Sequence, residues 1–309
     1  MIEISVITIN GVEALHATPS GKQSEPLPTV FFFHGFTSSK EVYSYFAYAL
    51  AHAGFRVVSP DAPMHGARFD GDEARRLRHF WDIFQQNVRE LPAYVAHFRQ
   101  LGLIDDGRIG VCGASLGGMT ALASMTQYPW INVVGAFMGS GYVSSLSQAL
   151  FPPVAPDAPQ NAPQLASLAE QLAPYDVGHQ LEKVSDRPLL LWHGLADTLV
   201  PAGETERLYQ ALAKRQLDAN VTYLTEADIG HKITPTALRA APAFSASTCE
   251  PPLPSCRQLR CLTQGCVFHA RPFRSFATLP LVLPVRGTYN CASFFRPHTT
   301  TFLASMGRG

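Results

Sequence analysis

The stretch that most restricts how this chain can fold is Gly113-Ala114-Ser115-Leu116-Gly117. Before it, Arg108-Ile109-Gly110-Val111-Cys112 reads as a short buried strand, and after it Gly118 to Met125 reads as a helix. A strand that reverses into a helix over five residues needs a very tight turn, with the serine on strained backbone and its hydroxyl presented outward. Side chains two positions before and two after the serine would collide in such a turn, and both positions are glycine. A strand in this setting also needs neighbouring strands to pair with and helices to cover it.

Both recur through the first 240 residues. Residues 2–9 and 12–17 read as a hairpin about Asn10-Gly11, a favoured two-residue turn. Thr29-Val30-Phe31-Phe32-Phe33 is a continuous apolar run, as expected of a strand buried on both faces. The pattern predicts a helix from about Lys40 to Ala53, with Val42, Tyr45, Phe46, Ala49 and Leu50 on one stripe, and then a strand at Phe55–Ser59. From Asp72 to Gln100 apolar residues return every three or four positions, which predicts one long amphipathic helix that Pro92 should kink or divide. Further strands are predicted at Ile131–Met138, Pro188–Trp192 and Asn220–Thr225, with a helix at about 202–216. Residues 141–185 differ, because six prolines break up short helical pieces such as Ala162–Leu172. An insertion of that length between core elements is more often functional than filler. Strands alternating with helices predict the α/β class, with a mainly parallel sheet covered on both faces.

Composition bounds where such a chain works. At 46% hydrophobic and 16% charged residues it is an ordinary globular sequence, with no apolar run of membrane-spanning length. The start, Met1-Ile2-Glu3-Ile4-Ser5-Val6, lacks the basic and apolar regions of a signal peptide, so a cytoplasmic location is expected. The overall neutrality hides a split. Residues 1–240 hold 17 Lys and Arg against 23 Asp and Glu, whereas 241–309 hold seven Arg and a single acid, Glu250. Five of the six cysteines also fall after residue 240.

A serine hydroxyl is a weak nucleophile near neutral pH and needs a base, itself oriented by an acid. Ser115, Asp197 and His231 follow in the order nucleophile, acid, base, each in a loop after a predicted strand. In open α/β sheets, sites assemble at those carboxyl ends. Asp197 alone could cap a helix and His231 alone could be an ordinary loop histidine; their joint order and placement favour the catalytic reading. The developing oxyanion needs donors. Leu116 N–H, next to the nucleophile, is one candidate; Phe36 N–H, with Thr37 as alternative, is the other. His34, His65 and His193 each precede a glycine at a strand end and are expected to pack and hydrogen-bond beneath the site. The histidines show no metal-binding spacing such as His-Glu-x-x-His. Phe36, Met119, Phe151 and Trp192 are apolar residues near the expected site, open between pocket and core.

Several stretches fall in register with a known family: His34-Gly35-Phe36-Thr37-Ser38-Ser39-Lys40-Glu41, Asp61-Ala62-Pro63-Met64-His65-Gly66-Ala67-Arg68, Gly113 to Gly118, His193-Gly194-Leu195-Ala196-Asp197 and Gly230-His231. On these the chain resembles the α/β-hydrolase superfamily and, within it, the small dienelactone-hydrolase-like bacterial esterases. The resemblance covers roughly residues 1–240. It implies an α/β-hydrolase fold with residues 141–185 as a small helical lid. It also implies a Ser-Asp-His serine hydrolase of short, small-molecule acyl esters, with no metal or organic cofactor and neither nucleic acid nor membrane as partner. Dienelactone hydrolases proper use a cysteine nucleophile, and Ser115 argues against that particular activity. A thioesterase or a peptidase would use the same three residues.

The resemblance ends with the tail. Members of the family close with an amphipathic helix after the histidine. Here Thr234 can cap that helix and Pro235 suits its first position, but Pro242 arrives within two turns. Residues 241–309 read as an atypical basic tail containing Cys, Arg and Pro, disordered or frameshift-derived. An alternative follows, in which the altered tail leaves His231 unanchored and the product catalytically impaired. Cys256, Cys261, Cys266 and His269 lack the close cysteine pairing of a zinc site, and the seven arginines are too scattered for a nucleic-acid or phosphate patch.

Overall fold

Asn10 and Gly11 both adopt positive φ, 50° and 82°, as a tight two-residue hairpin turn requires. They join β1 (Ile2–Ile9) to β2 (Val12–Pro19), with Ile9 opposite Val12. The computed structural model describes residues 1–248, and the statements below concern those. The other strands are β3 (Leu27–Phe33), β4 (Arg56–Pro60), β5 (Ile104–Ala114), β6 (Val133–Phe137), β7 (Leu189–Gly194) and β8 (Val221–Glu226). They form one sheet in the order β1-β2-β4-β3-β5-β6-β7-β8, antiparallel through the β2–β4 pair and parallel from β4 onward. This is the mainly parallel sheet expected, and the fold is that of the α/β-hydrolases.

The helices are α1 (Ser44–His52), α2 (Glu73–Arg78), α3 (Phe80–Gln100), α4 (Leu116–Gln127), α5 (Val143–Leu146), α6 (Ala162–Leu172), α7 (Glu182–Ser185), α8 (Gly203–Lys214) and α9 (Pro235–Thr248). Alternation along β3 explains its unbroken apolar run. Phe31 and Phe33 pack with Leu91, Val95 and Phe98 of α3, while Val30 and Phe32 face Phe46 and Leu50 of α1 and Ala237 of α9. Each fully buried side chain of this kind contributes about 1.5–3 kcal/mol. A third cluster joins Phe80, Trp81, Leu116 and Met119 to Val143, Leu146, Leu150 and Leu172, which lays the 141–185 segment over α3 and α4.

Three expectations need correction. The first helix starts at Ser44 rather than near Lys40, because Lys40 is drawn inward onto Asp61; Val42, expected on its buried stripe, is 60% exposed. The long helix divides at His79, between α2 and α3, and runs unbroken through Pro92. Proline at 92 cannot serve the Val88 carbonyl, and the Tyr128 hydroxyl donates to that oxygen instead, at 2.9 Å. The strand before Ser115 runs from Ile104, longer than the 108–112 segment the sequence suggests.

At the far end Thr234 Oγ1 accepts the Ala237 N–H at 3.1 Å, capping α9, and the helix continues past Pro242 to Thr248. Of the tail read as disordered or frameshift-derived, 241–309, residues 241–248 continue α9; the remainder, with the zinc set and the basic patch, lies outside the described residues. No described helix is long and apolar enough to cross a membrane.

Candidate active site

β5 ends directly on Ser115, which takes φ 56° and ψ −117°. The turn is enforced sterically. A Cβ on Gly117 would lie 1.9 Å from Phe33 O, and one on Gly113 would lie 2.2 Å from Gly117 O, so only glycine fits either place. Ser115 N–H donates to Phe137 O at 2.8 Å, tying the turn to β6. The serine hydroxyl is left facing His231, with Oγ 2.9 Å from Nε2.

On its other side the His231 ring lies with Nδ1 2.6 Å from Asp197 Oδ2. A carboxylate only accepts, so Nδ1 carries the hydrogen and the Nε2 lone pair faces the serine. Asp197 Oδ1 accepts the N–H groups of Leu199 and Val200 at 2.9 and 3.1 Å. Burial alone would raise the Asp197 pKa. Hydrogen bonds from His193, His231 and the Leu199 N–H outweigh it and hold the group well below the usual carboxylate range. The loops bearing Asp197 and His231 are pressed together, with Ala196 N–H donating to Ile229 O at 2.9 Å. Glu226 Oε1 braces the pair by accepting from the Trp192 indole at 3.0 Å and from the Thr234 hydroxyl at 2.6 Å.

The loop after β3 is held by buried side chains. His34 Nδ1–H donates to Gly35 O at 2.8 Å and its Nε2 accepts the Ala62 N–H at 3.0 Å. His65 Nδ1–H donates to Pro63 O at 2.7 Å and its Nε2 accepts the Thr37 N–H at 3.0 Å. Both rings are therefore neutral. Burial pushes the His34 pKa down, and it pushes that of His65 down to about 4. Nearby, Asp61 takes the Lys40 ammonium at 2.6 Å, the Lys40 N–H at 3.0 Å and the Ala67 N–H at 2.9 Å. With Thr37 N–H occupied, the loop's remaining candidate donor is Phe36 N–H. Neither it nor Leu116 N–H has an acceptor among the described residues.

A cavity of about 260 Å³ opens on Ser115 and His231. Its wall is formed by Gly35, Phe36, Thr37, Tyr43, Leu77, Phe80, Leu150, Phe151, Leu199 and Val200. Phe36 and Phe151 thus belong to the pocket, with ring centres 5.3 Å apart, whereas Met119 and Trp192 are fully buried in the core. Sequence reading missed Tyr43, Leu77 and Phe80 as wall residues, since all three lie at or near helix ends whose orientation only tertiary packing sets. It also gave His193 no contact with the acid. The His-Gly pair at a strand end was the available signal. No group of three His, Cys, Asp or Glu among the described residues is placed to hold a metal ion.

A sheet of this topology with a serine turn, a histidine and an aspartate at its carboxyl edge defines the α/β-hydrolase class. The sequence profile of the prolyl oligopeptidase family matches residues 42–243, and the chain belongs to that family. It is 46% identical to esterase YjfP of Escherichia coli (strain K12) over 79% of this chain and 98% of that protein. It is 35% identical to putative esterase YitV of Bacillus subtilis (strain 168), over 77% of this chain and 96% of that one. Among solved structures, TT1662 from Thermus thermophilus shares the fold with a TM-score of 0.62 at 23% identity, over 79% of this chain and 96% of its own.

Proposed function

We propose that the chain is a serine carboxylesterase that hydrolyses short-chain acyl esters through an acyl-enzyme. One observation carries the mechanism: the continuous hydrogen-bonded run from Ser115 Oγ through His231 to Asp197, at 2.9 and 2.6 Å, opening on a cavity. The 46% identity to a named esterase supports the choice of ester as substrate. So does the pocket wall, whose side chains are apolar or hydroxyl-bearing apart from His231 and suit a neutral acyl group.

In this reading Ser115 Oγ attacks the ester carbonyl carbon as its proton passes to His231 Nε2, and Asp197 stabilises the imidazolium. The N–H groups of Phe36 and Leu116 hold the oxyanion, each worth roughly 2.7–4 kcal/mol to the transition state. Collapse of the tetrahedral intermediate breaks the C–O bond, and the leaving alkoxide takes the proton from His231. A water, deprotonated by His231, then attacks the acyl-enzyme and returns Ser115 to its starting state. All of these groups lie within residues 1–240.

The test is hydrolysis of p-nitrophenyl acetate or butyrate by the purified protein and by Ser115→Ala. The substitution is expected to lower turnover by roughly 10³-fold or more. Unchanged turnover would exclude Ser115 as the nucleophile.

A further inference from the structure

The Asp197 carboxylate has a second imidazole against it. His193, near the end of β7, has a fully buried side chain, and its Nε2 lies 3.2 Å from Asp197 Oδ2. That is the same oxygen that takes the His231 Nδ1–H. His193 Nε2 also lies 2.9 Å from Val200 O. Both neighbours only accept, so Nε2 carries a hydrogen shared between them. On the far side of the ring Nδ1, left to accept, takes the Thr205 hydroxyl at 2.6 Å, and Thr205 Oγ1 also lies 3.0 Å from Gly139 O. The ring is thus pinned between α8, the segment after β6 and the loop that carries Asp197.

A histidine that only filled space would need no donor aimed at the acid. Asp197 has to accept from His231 without taking its proton. If the carboxyl instead held a proton taken from solvent, its O–H would donate to Nδ1, the one ring hydrogen of His231 would sit on Nε2, and the nitrogen facing Ser115 would no longer be able to accept. A second donor on Oδ2 makes the oxygen a poorer proton acceptor and fixes the carboxylate plane that both rings share. We propose that His193 is a positioning residue for the reaction: its Nε2–H, held on Asp197 Oδ2, keeps His231 in the tautomer that can accept the Ser115 proton. The proposal rests on the Ser115–His231–Asp197 reading given above. The low pKa of Asp197 agrees with it, since the His193 hydrogen bond leads the interactions that oppose burial there.

The experiment compares His193→Phe, which fills the space without a donor, with His193→Gln, whose amide nitrogen reaches the place of the ring Nε2. Turnover of p-nitrophenyl butyrate is measured per site titrated to completion with a fluorophosphonate, alongside the low-field proton NMR signal of the His231 Nδ1–H. His193→Phe is expected to lower kcat roughly 10- to 100-fold, as for loss of a hydrogen bond to a charged group, with KM little changed. The low-field signal should move with it, and His193→Gln should restore most of both. Equal kcat in the two variants with an unmoved signal overturns the proposal. Should His193→Phe not fold, Thr205→Val releases the ring without removing it. The same signal should then shift and kcat fall severalfold; an unmoved signal again overturns the proposal. Fluorophosphonate labelling of the wild-type protein comes first. Failure to label Ser115 overturns the site reading and this proposal together, whereas a labelled wild type with an indifferent His193→Phe overturns this proposal alone.

Discussion

The turn at Ser115 and the loop after β3 leave the same edge of the sheet and meet over one cavity, yet they are held by opposite means. Backbone contact holds the turn. Gly113 and Gly117 sit where an added methyl would strike a main-chain oxygen, and no side-chain hydrogen bond caps α4 at the serine. Side chains hold the loop. Two buried imidazoles bind its peptide groups, and the Lys40–Asp61 ion pair fastens its end. The contrast implies different weaknesses. The serine turn should ignore changes of charge but tolerate no added atom, while the loop should tolerate changes of shape but depend on which of its groups are ionised.

Gly117→Ala tests the first half most severely. Its methyl would lie 1.9 Å from Phe33 O, so β3 and the turn must separate. The expected loss is roughly 10³-fold or more in kcat/KM, with a destabilisation of about 3 kcal/mol visible in a thermal melt. Near-normal activity would mean that the turn is not sterically fixed. Asp61→Asn addresses the second half. It strips the buried anion from Lys40, whose 2.6 Å partner it is, leaving Glu13 and Glu41 nearby. Urea unfolding should show a loss of about 3 kcal/mol, the lower end for breaking a buried pair because two acids remain. Activity per titrated site should fall only severalfold. A loss of activity as large as that of Gly117→Ala would erase the distinction between the two regions.

Acid should find the same difference. In the unfolded chain histidines take up protons near pH 6.5, whereas folded His65 waits until about 4 and His34 is also lowered. The unfolded state therefore binds more protons between those values. The stability from burying these rings is complete above pH 6.5 and is lost as pH falls, for His65 by about 1.4 kcal/mol per pH unit down to about 4, with His34 acting in the same direction. Urea melts at pH 7, 5.5 and 4.5 should show the decline, and a flat profile would remove the neutral rings from the account. The smallest effect is expected from ending the chain after Thr248. His231 is held by Asp197, and its loop is tied through Thr234 to Glu226, all before α9, so kcat/KM should stay within about twofold. A large loss would favour the reading in which the tail decides activity.

What could be read from the sequence was whatever short-range geometry dictates. Asn10-Gly11 announces its hairpin because positive φ is demanded within the dipeptide itself, and Gly113 and Gly117 announce the serine turn because a side chain at either place would strike the main chain. The order Ser115, Asp197, His231 along alternating strands was equally visible, and the structure brings the three side chains together. Hidden from the sequence were bonds made across long stretches of chain. Pro92 looked like a break because nothing nearby shows that Tyr128 serves the Val88 carbonyl. Lys40 looked helical because its partner Asp61 lies beyond the next strand. Trp192 and Phe151 look alike as apolar residues. One faces inward from β7 and the other lines the cavity, a difference set only when the layers pack.

The far wall of the cavity has a practical consequence. Leu150 and Phe151 come from the proline-rich insertion, and Leu77 from a short helix. None of their side chains takes part in the hydrogen bonds that hold Ser115, His231, Asp197 or the loop after β3. In the proposed esterase reading, selectivity and reactivity therefore fall on separable parts of the polypeptide. An engineer, or natural drift, can recut the shape of the acceptable acyl group there and leave the machinery that breaks the bond undisturbed.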